Sequence, residues 1–200
     1  MADGEWPGPG GRTTVARVLK EAIRLHEAMA ALDPEPVLAA AEFILGALGR
    51  GGKVLTFGNG GSAADAQHFA AELVGRYRAD RRGLAAVALS SDASVVTAVA
   101  NDYGYDRVFA RQIEALGRLG DVAFGISTSG TSANVVAGFE AALAGGLATV
   151  ALTAGDGGRI ARLAHAPIVV PATATPRVQE LHRTVLHAIC ELIEERIADG

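Results

Sequence analysis

Aromatic residues are scarce in this chain: Phe, Trp and Tyr make up 5% of its 200 residues, although 50% are hydrophobic. Ala, Leu, Val and Ile must therefore fill the core, which suits helices packed closely on a sheet. Cysteine is nearly absent. The single Cys190 can form no intrachain disulfide, and its apolar helical neighbourhood, His187 to Ile193, reads as a small buried hydrophobe. No apolar run approaches ~18 residues, so no membrane-spanning helix is expected. Positive charge is in short supply as well. With a net charge of −4 and interspersed charges, the chain lacks the clustered Lys and Arg that a nucleic-acid surface needs. Met1 to Arg12 carries neither the cationic start nor the apolar run of a secretory signal, and a cytoplasmic location is the expectation.

Glycine, by contrast, is abundant, at 25 residues with no collagen-like period, and is expected in tight turns. The Gly/Pro-rich segment 1–12 reads as a disordered tail, and 13–200 as one domain long enough to bury a full core. Thr13 to Leu32 has apolar residues at Val15, Val18, Leu19, Ala22, Leu25 and Met29, the 3.6-residue period of a helix capped by Thr13 or Thr14. A second helix is predicted from about Pro34 to Leu48.

The pattern then changes. Val54 to Phe57, Leu84 to Leu89, Val122 to Ile126, Leu147 to Leu152 and Ile168 to Val170 are short apolar runs, each followed by a helical stretch. Continuous apolar runs mark strands covered on both faces, so the fold class is α/β: an open parallel five-stranded sheet flanked by helices in three layers, flavodoxin-like. A long last helix, Thr175 to Ala198, can pack on the domain or on a partner. In such sheets ligands bind beyond the carboxyl ends of the strands, which directs attention to the loops at Gly58, Ser90, Ser127 and Thr153.

Gly58-Asn59-Gly60-Gly61-Ser62 follows the first strand and opens an Ala-rich helix. It is neither a dinucleotide fingerprint nor a Walker A loop, so no nucleotide cofactor is expected. An anion at a helix N-terminus and an ordinary tight turn explain it equally well. Ser127 to Ser132 holds five hydroxyls around Gly130 and leads into a helix from Ala133. One cap needs one hydroxyl, so five suit a phosphate cradle better than a turn.

Asp65, His68, Glu72 and Arg76 fall at i, i+3, i+7 and i+11, one polar stripe on the helix from Ser62 to Arg76. The His68/Glu72 spacing allows shared metal ligation and equally an ordinary surface pair. On the last helix His182 sits among apolar residues and reads as packed. His187 lies near the opposite side, among Glu180, Glu191 and Glu194, and its plain reading is an exposed histidine. Gln179 and His187 are ~12 Å apart along a straight helix, so a common ligand site for both requires a neighbouring subunit or a distorted first turn.

Four segments then carry a family resemblance: Gly58 to Leu73, Ala100 to Gly104, Ile126 to Asn134, and Arg177 to His182. In this order the chain, from about Thr13 to Ile197, resembles the phosphoheptose isomerases of the sugar-isomerase (SIS) domain class. The resemblance implies isomerisation of D-sedoheptulose 7-phosphate to a D-glycero-D-heptose 7-phosphate in a homotetramer, with sites between subunits and the long last helix used in assembly. It implies Glu72 and His187 as the acid/base pair, and one Zn2+ per site at His68, Glu72, Gln179 and His187. Substrate positions would be Asn59, Gly60, Gly61, Ser62, Glu72, Asn101, Asp102, Ser127, Thr128, Ser129, Ser132 and Gln179. Pro176 departs from the family pattern, offering neither an N–H nor a polar side chain where a sugar hydroxyl contact would lie. The rival reading is a non-catalytic SIS protein that senses a sugar phosphate or binds a replication initiator. Such proteins resemble the loops but lack the acid/base pair.

Overall fold

Residues 9–198 are described in a computed structural model. In chain order they form α1 (Pro9–Ala30), α2 (Glu35–Gly49), β1 (Val54–Gly58), α3 (Gly61–Val74), β2 (Ala86–Ala88) and α4 (Ala93–Tyr103). A 3-10 turn (Tyr105–Arg107) and α5 (Val108–Leu116) follow, then β3 (Val122–Ile126), α6 (Ala133–Ala144), β4 (Ala148–Ala154), α7 (Gly158–Leu163), β5 (Ala166–Val170) and α8 (Thr175–Ala198). The strands make one parallel sheet in the order β2-β1-β3-β4-β5. None of the described helices is long and apolar enough to cross a membrane.

Strands β1 and β3 are buried along their whole length, as uninterrupted apolar runs require. Their side chains alternate between two cores. Val54, Phe124 and Ile126 face Ile44 of α2, Phe69 and Leu73 of α3, and Leu181 and Ile189 of α8. Leu55, Phe57 and Ala123 face Phe109 of α5, Val135 and Phe139 of α6, and Ile160 of α7. Five of the six phenylalanines are fully buried here, so the few aromatics are concentrated at the centre of both layers. Gly125 on β3 leaves the space that the Phe139 ring occupies, because a Cβ there would overlap it.

The boundaries differ from the sequence expectation at several elements; the helix expected from Ser62 to Arg76 spans Gly61–Val74, so Arg76 of the polar stripe lies beyond its end. The first helix begins at Pro9, not at Thr13, so residues 9–12 of the expected tail extend it; residues 1–8 lie outside the described residues. The second strand is only Ala86–Ala88; Leu84 and Leu89 flank it, both buried. The fifth strand starts earlier and includes Pro167, tolerated because β5 is an edge strand with one unpaired side.

After β1 the chain crosses to β2 on one side, and after β2 it returns to β3 on the other. That reversal opens a crevice between the carboxyl ends of β1 and β3, where the Gly58 and Ser127 loops meet.

Candidate active site

At the crevice, Gly58 presses against β3: a Cβ there would lie 2.7 Å from the Ile126 carbonyl and 2.8 Å from the Ser62 Cβ. Gly60, at φ +54°, takes the positive-φ backbone that turns the loop into α3. It is the N-cap of α3 and supplies no side-chain cap. Ser62 lies buried in the first turn.

In the hydroxyl loop, Ser132 is the N-cap of α6 but makes no capping hydrogen bond. Its Oγ is 3.1 Å from Ser127 Oγ, which also accepts from the Gly130 N–H. Ser129 Oγ accepts from both the N–H and the hydroxyl of Thr131. The hydroxyls thus bond one another and leave the start of α6 without a side-chain cap, the arrangement an anion can complete. Asn59 and Asn134 join the two loops through reciprocal amide hydrogen bonds of 2.8 Å, and Tyr105 Oη donates to Asn59 Oδ1 at 3.1 Å.

Helices α3 and α8 run side by side in the same direction, in matched steps. Gly61 abuts the Gln179 side chain. One turn on, the Arg183 guanidinium donates through Nε and Nη2 to Asp65 Oδ1, at 2.9 and 2.6 Å. Next His68 Nε2 lies 2.8 Å from His187 Nε2, and His68 Nε2 is 3.4 Å from Glu72 Oε1. Beyond Val74, the backbone N–H groups of Tyr77, Arg78 and Ala79 donate to the Glu194 carboxylate.

His68, Glu72 and His187 therefore converge, each half-buried, with ligand atoms within 4.8 Å of one another. Burial and the Arg183 charge hold His68 below the ordinary histidine pKa, against an opposing pull from Glu72. Two imidazoles and a carboxylate with access to solvent suit a zinc ion that keeps an open coordination position. The same groups suit proton transfer, since a carboxylate and an imidazole lie within reach of one bound molecule. His187 is thus not the exposed residue its helix position suggested: it faces α3, with the Tyr77 ring 5.5 Å away.

A model of the SIS domain matches residues 18–154. The phosphoheptose isomerase of Geotalea daltonii is 54% identical over 166 residues, 83% of this chain and 86% of its own. That of Aquifex aeolicus is 48% identical over 185 residues, 92% and 97% of the two chains. The chain belongs to the phosphoheptose isomerases of the SIS domain family. It is a sugar-phosphate isomerase. The solved phosphoheptose isomerase of Neisseria gonorrhoeae superposes with a TM-score of 0.87 at 46% identity, covering 92% of this chain and 98% of its own.

Gln179 stands at Gly61, about two helical turns before the His68/Glu72/His187 group, so the four residues expected as zinc ligands are spread along the helix pair and not gathered at one point of the described chain. Asn101 and Asp102, hydrogen-bonded to each other at 2.8 Å, end the exposed helix α4. His182 is fully buried and bonded to the Thr153 carbonyl, a packed histidine as expected. Asn134 and Tyr105 went unnoticed in the sequence. Asn134 stands two residues past Ser132, the end of the hydroxyl run, and only its pairing with Asn59 reveals its part.

Proposed function

We propose that this enzyme converts D-sedoheptulose 7-phosphate to D-glycero-D-manno-heptose 7-phosphate, the altro epimer being the product if the proton returns to the other face of C2. The name that the relatives carry, phosphoheptose isomerase, supports a heptose phosphate as the substrate class. The observation that carries the reading is the convergence of Glu72 and His187, from two different helices, at His68. A sensor or docking protein of the same fold has no use for that group.

In this mechanism the Glu72 carboxylate takes one proton from C1 of the open-chain ketose. The C–H electrons form the C1=C2 double bond of an enediolate, and the carboxyl returns the proton to C2. His187 moves the oxygen proton from O1 to O2, so the substrate is rearranged with no net gain or loss. Glu72 and His187 are each worth roughly 10²–10⁴-fold in such a role. The donor atoms of His68, Glu72 and His187 would hold Zn2+, with Gln179 as a fourth ligand only if another copy of the chain supplies it, and the ion would supply polarisation of the substrate oxygens. Ser127, Thr128, Ser129 and Ser132 with the start of α6 hold the phosphate, remote from the reacting carbons, while Asn59, Gly60, Gly61, Ser62, Asn101 and Asp102 surround the sugar.

We further propose a homotetramer with sites shared between chains, working in the cytoplasm. Along α3, Gly61 and Glu72 are eleven residues apart, ~16 Å, whereas an extended seven-carbon phosphate with C–C bonds of ~1.5 Å spans about 10 Å. In the proposed assembly the loop end of one chain, with its phosphate cradle, serves the acid/base pair of another. Val15, Leu19 and Ile23 of α1, each more than half exposed, form an apolar stripe that a second copy would cover. Incubation with sedoheptulose 7-phosphate, followed by NMR of the product, tests the reading. Appearance of an aldoheptose 7-phosphate supports it and its C2 configuration assigns the epimer; recovery of unchanged ketose overturns it.

A further inference from the structure

Outside the site itself, the most completely satisfied buried charge among the described residues is Glu194, on α8 two turns beyond His187. Its four hydrogen bonds use both oxygens. Oε1 accepts from the Tyr77 N–H at 2.9 Å and Arg81 Nε at 3.1 Å; Oε2 accepts from the N–H groups of Arg78 at 2.9 Å and Ala79 at 2.8 Å. Burial pushes this carboxyl up, but those backbone bonds and the Arg81 charge outweigh it and hold the pKa below the ordinary value.

Arg81 is equally buried. Its remaining N–H groups cap the end of α3: Nη1 donates to the Leu73 carbonyl at 2.9 Å, and Nη2 to the Glu72 carbonyl at 2.8 Å. The segment that Glu194 pins also carries the Tyr77 ring, which packs against His187. A buried ion pair adds little stability over apolar residues of the same volume, so stability alone does not account for this one. What it does is fix two objects, the backbone of Glu72 and the ring beside His187, from one carboxylate.

We propose that Glu194 is a positioning residue for the isomerisation: through Arg81 it fixes the backbone of Glu72, and through the Tyr77 segment it fixes the wall against His187. The inference rests on the proposed roles of Glu72 and His187. A matched control exists at the opposite end of the sheet. Asp121, just before β3, is a comparably buried carboxylate that accepts from the Lys53 and Arg118 N–H groups and from Lys53 Nζ.

The test compares the intact protein with Glu194→Gln and Asp121→Asn, assayed on sedoheptulose 7-phosphate at a temperature where circular dichroism shows all three folded. Small displacements of reacting groups cost large factors in rate, so Glu194→Gln is expected to lower kcat about tenfold or more with KM within about threefold. Asp121→Asn is expected to lose stability and keep kcat within about twofold. Equal kcat in the two variants overturns the proposal. If Glu194→Gln does not fold, Arg81→Lys and Tyr77→Leu each cut one limb: a fall in kcat of about threefold or more in either supports the proposal, and unchanged kcat in both overturns it. Turnover by the unaltered chain checks the substrate separately. Its absence overturns the substrate reading, and the inference with it, whereas turnover leaves the variants to decide.

Discussion

The imidazoles of His68 and His187 meet Nε2 to Nε2 at 2.8 Å, so one ring donates and the other accepts, and they cannot both be charged at that distance without repulsion. This pair beside the Glu72 carboxylate is placed either to ligate or to move a proton. His187→Gln is therefore expected to lower kcat by roughly 10²-fold or more while affinity for the substrate phosphate stays within a few-fold, measured by steady-state kinetics and calorimetric binding. A second histidine makes a prediction about pH. Burial drives the His182 pKa down from 6.5 to about 4. Below pH 6.5 the unfolded chain takes up a proton that the folded chain refuses until about pH 4, so this stability is full above 6.5 and is lost as the pH falls through that window. The loss is on the order of 3 kcal/mol. Urea denaturation across the window is expected to show the slope in the parent and a flatter curve in His182→Gln. At this scale the sequence was informative about residue type and less so about direction. His68 and Glu72 were legible from their i, i+4 spacing, but the helix that faces His187 lies 119 residues away in the chain, and only the tertiary fold brings the two together.

Elements were legible where burial on both faces writes an unbroken apolar run, as in β1 and β3, and where a helix carries one apolar stripe, as in α8. Edge elements were less so: β2 shrinks to three residues, its flanking Leu84 and Leu89 being buried and donating to the Leu73 and Thr56 carbonyls, and Pro167 hides the start of β5. The loops between elements depend on backbone that only glycine adopts comfortably. Gly130, at φ +65°, lies against Gly157 and Gly158, themselves at positive φ, and its carbonyl accepts from the Ile160 N–H. A Cβ at Gly130 would overlap that backbone. Gly130→Ala is expected to cost about 2 kcal/mol or more and to raise KM for the phosphorylated substrate, checked by urea unfolding and kinetics. Retained stability and KM would mean that the hydroxyl loop does not need this contact. The Glu194–Arg81 clamp could not be read from the sequence, because a lone glutamate and an arginine 113 residues apart carry no local signal.

At the scale of the whole molecule, the parallel run of α3 and α8 sets what one chain can and cannot do. The run brings His68, Glu72 and His187 together and leaves Gln179 at the far end beside Gly61. Glu72→Gln and His187→Gln chains therefore damage the same group, and mixing them is expected to restore no activity. Glu72→Gln mixed with a Ser127→Ala/Ser132→Ala chain is expected to regain part of it, since the two defects then lie in different halves of a shared site. Failure of that second mixture in verified mixed oligomers contradicts the shared site. The central claim is that the Glu72 carboxylate carries the C1 proton of sedoheptulose 7-phosphate. It is tested most directly with substrate deuterated at C1, followed by NMR in the parent and in Glu72→Gln. The parent is predicted to release one deuteron from C1 as the aldose forms, and Glu72→Gln to bind the substrate and leave both deuterons in place; near-parental C1 release by Glu72→Gln would contradict the claim.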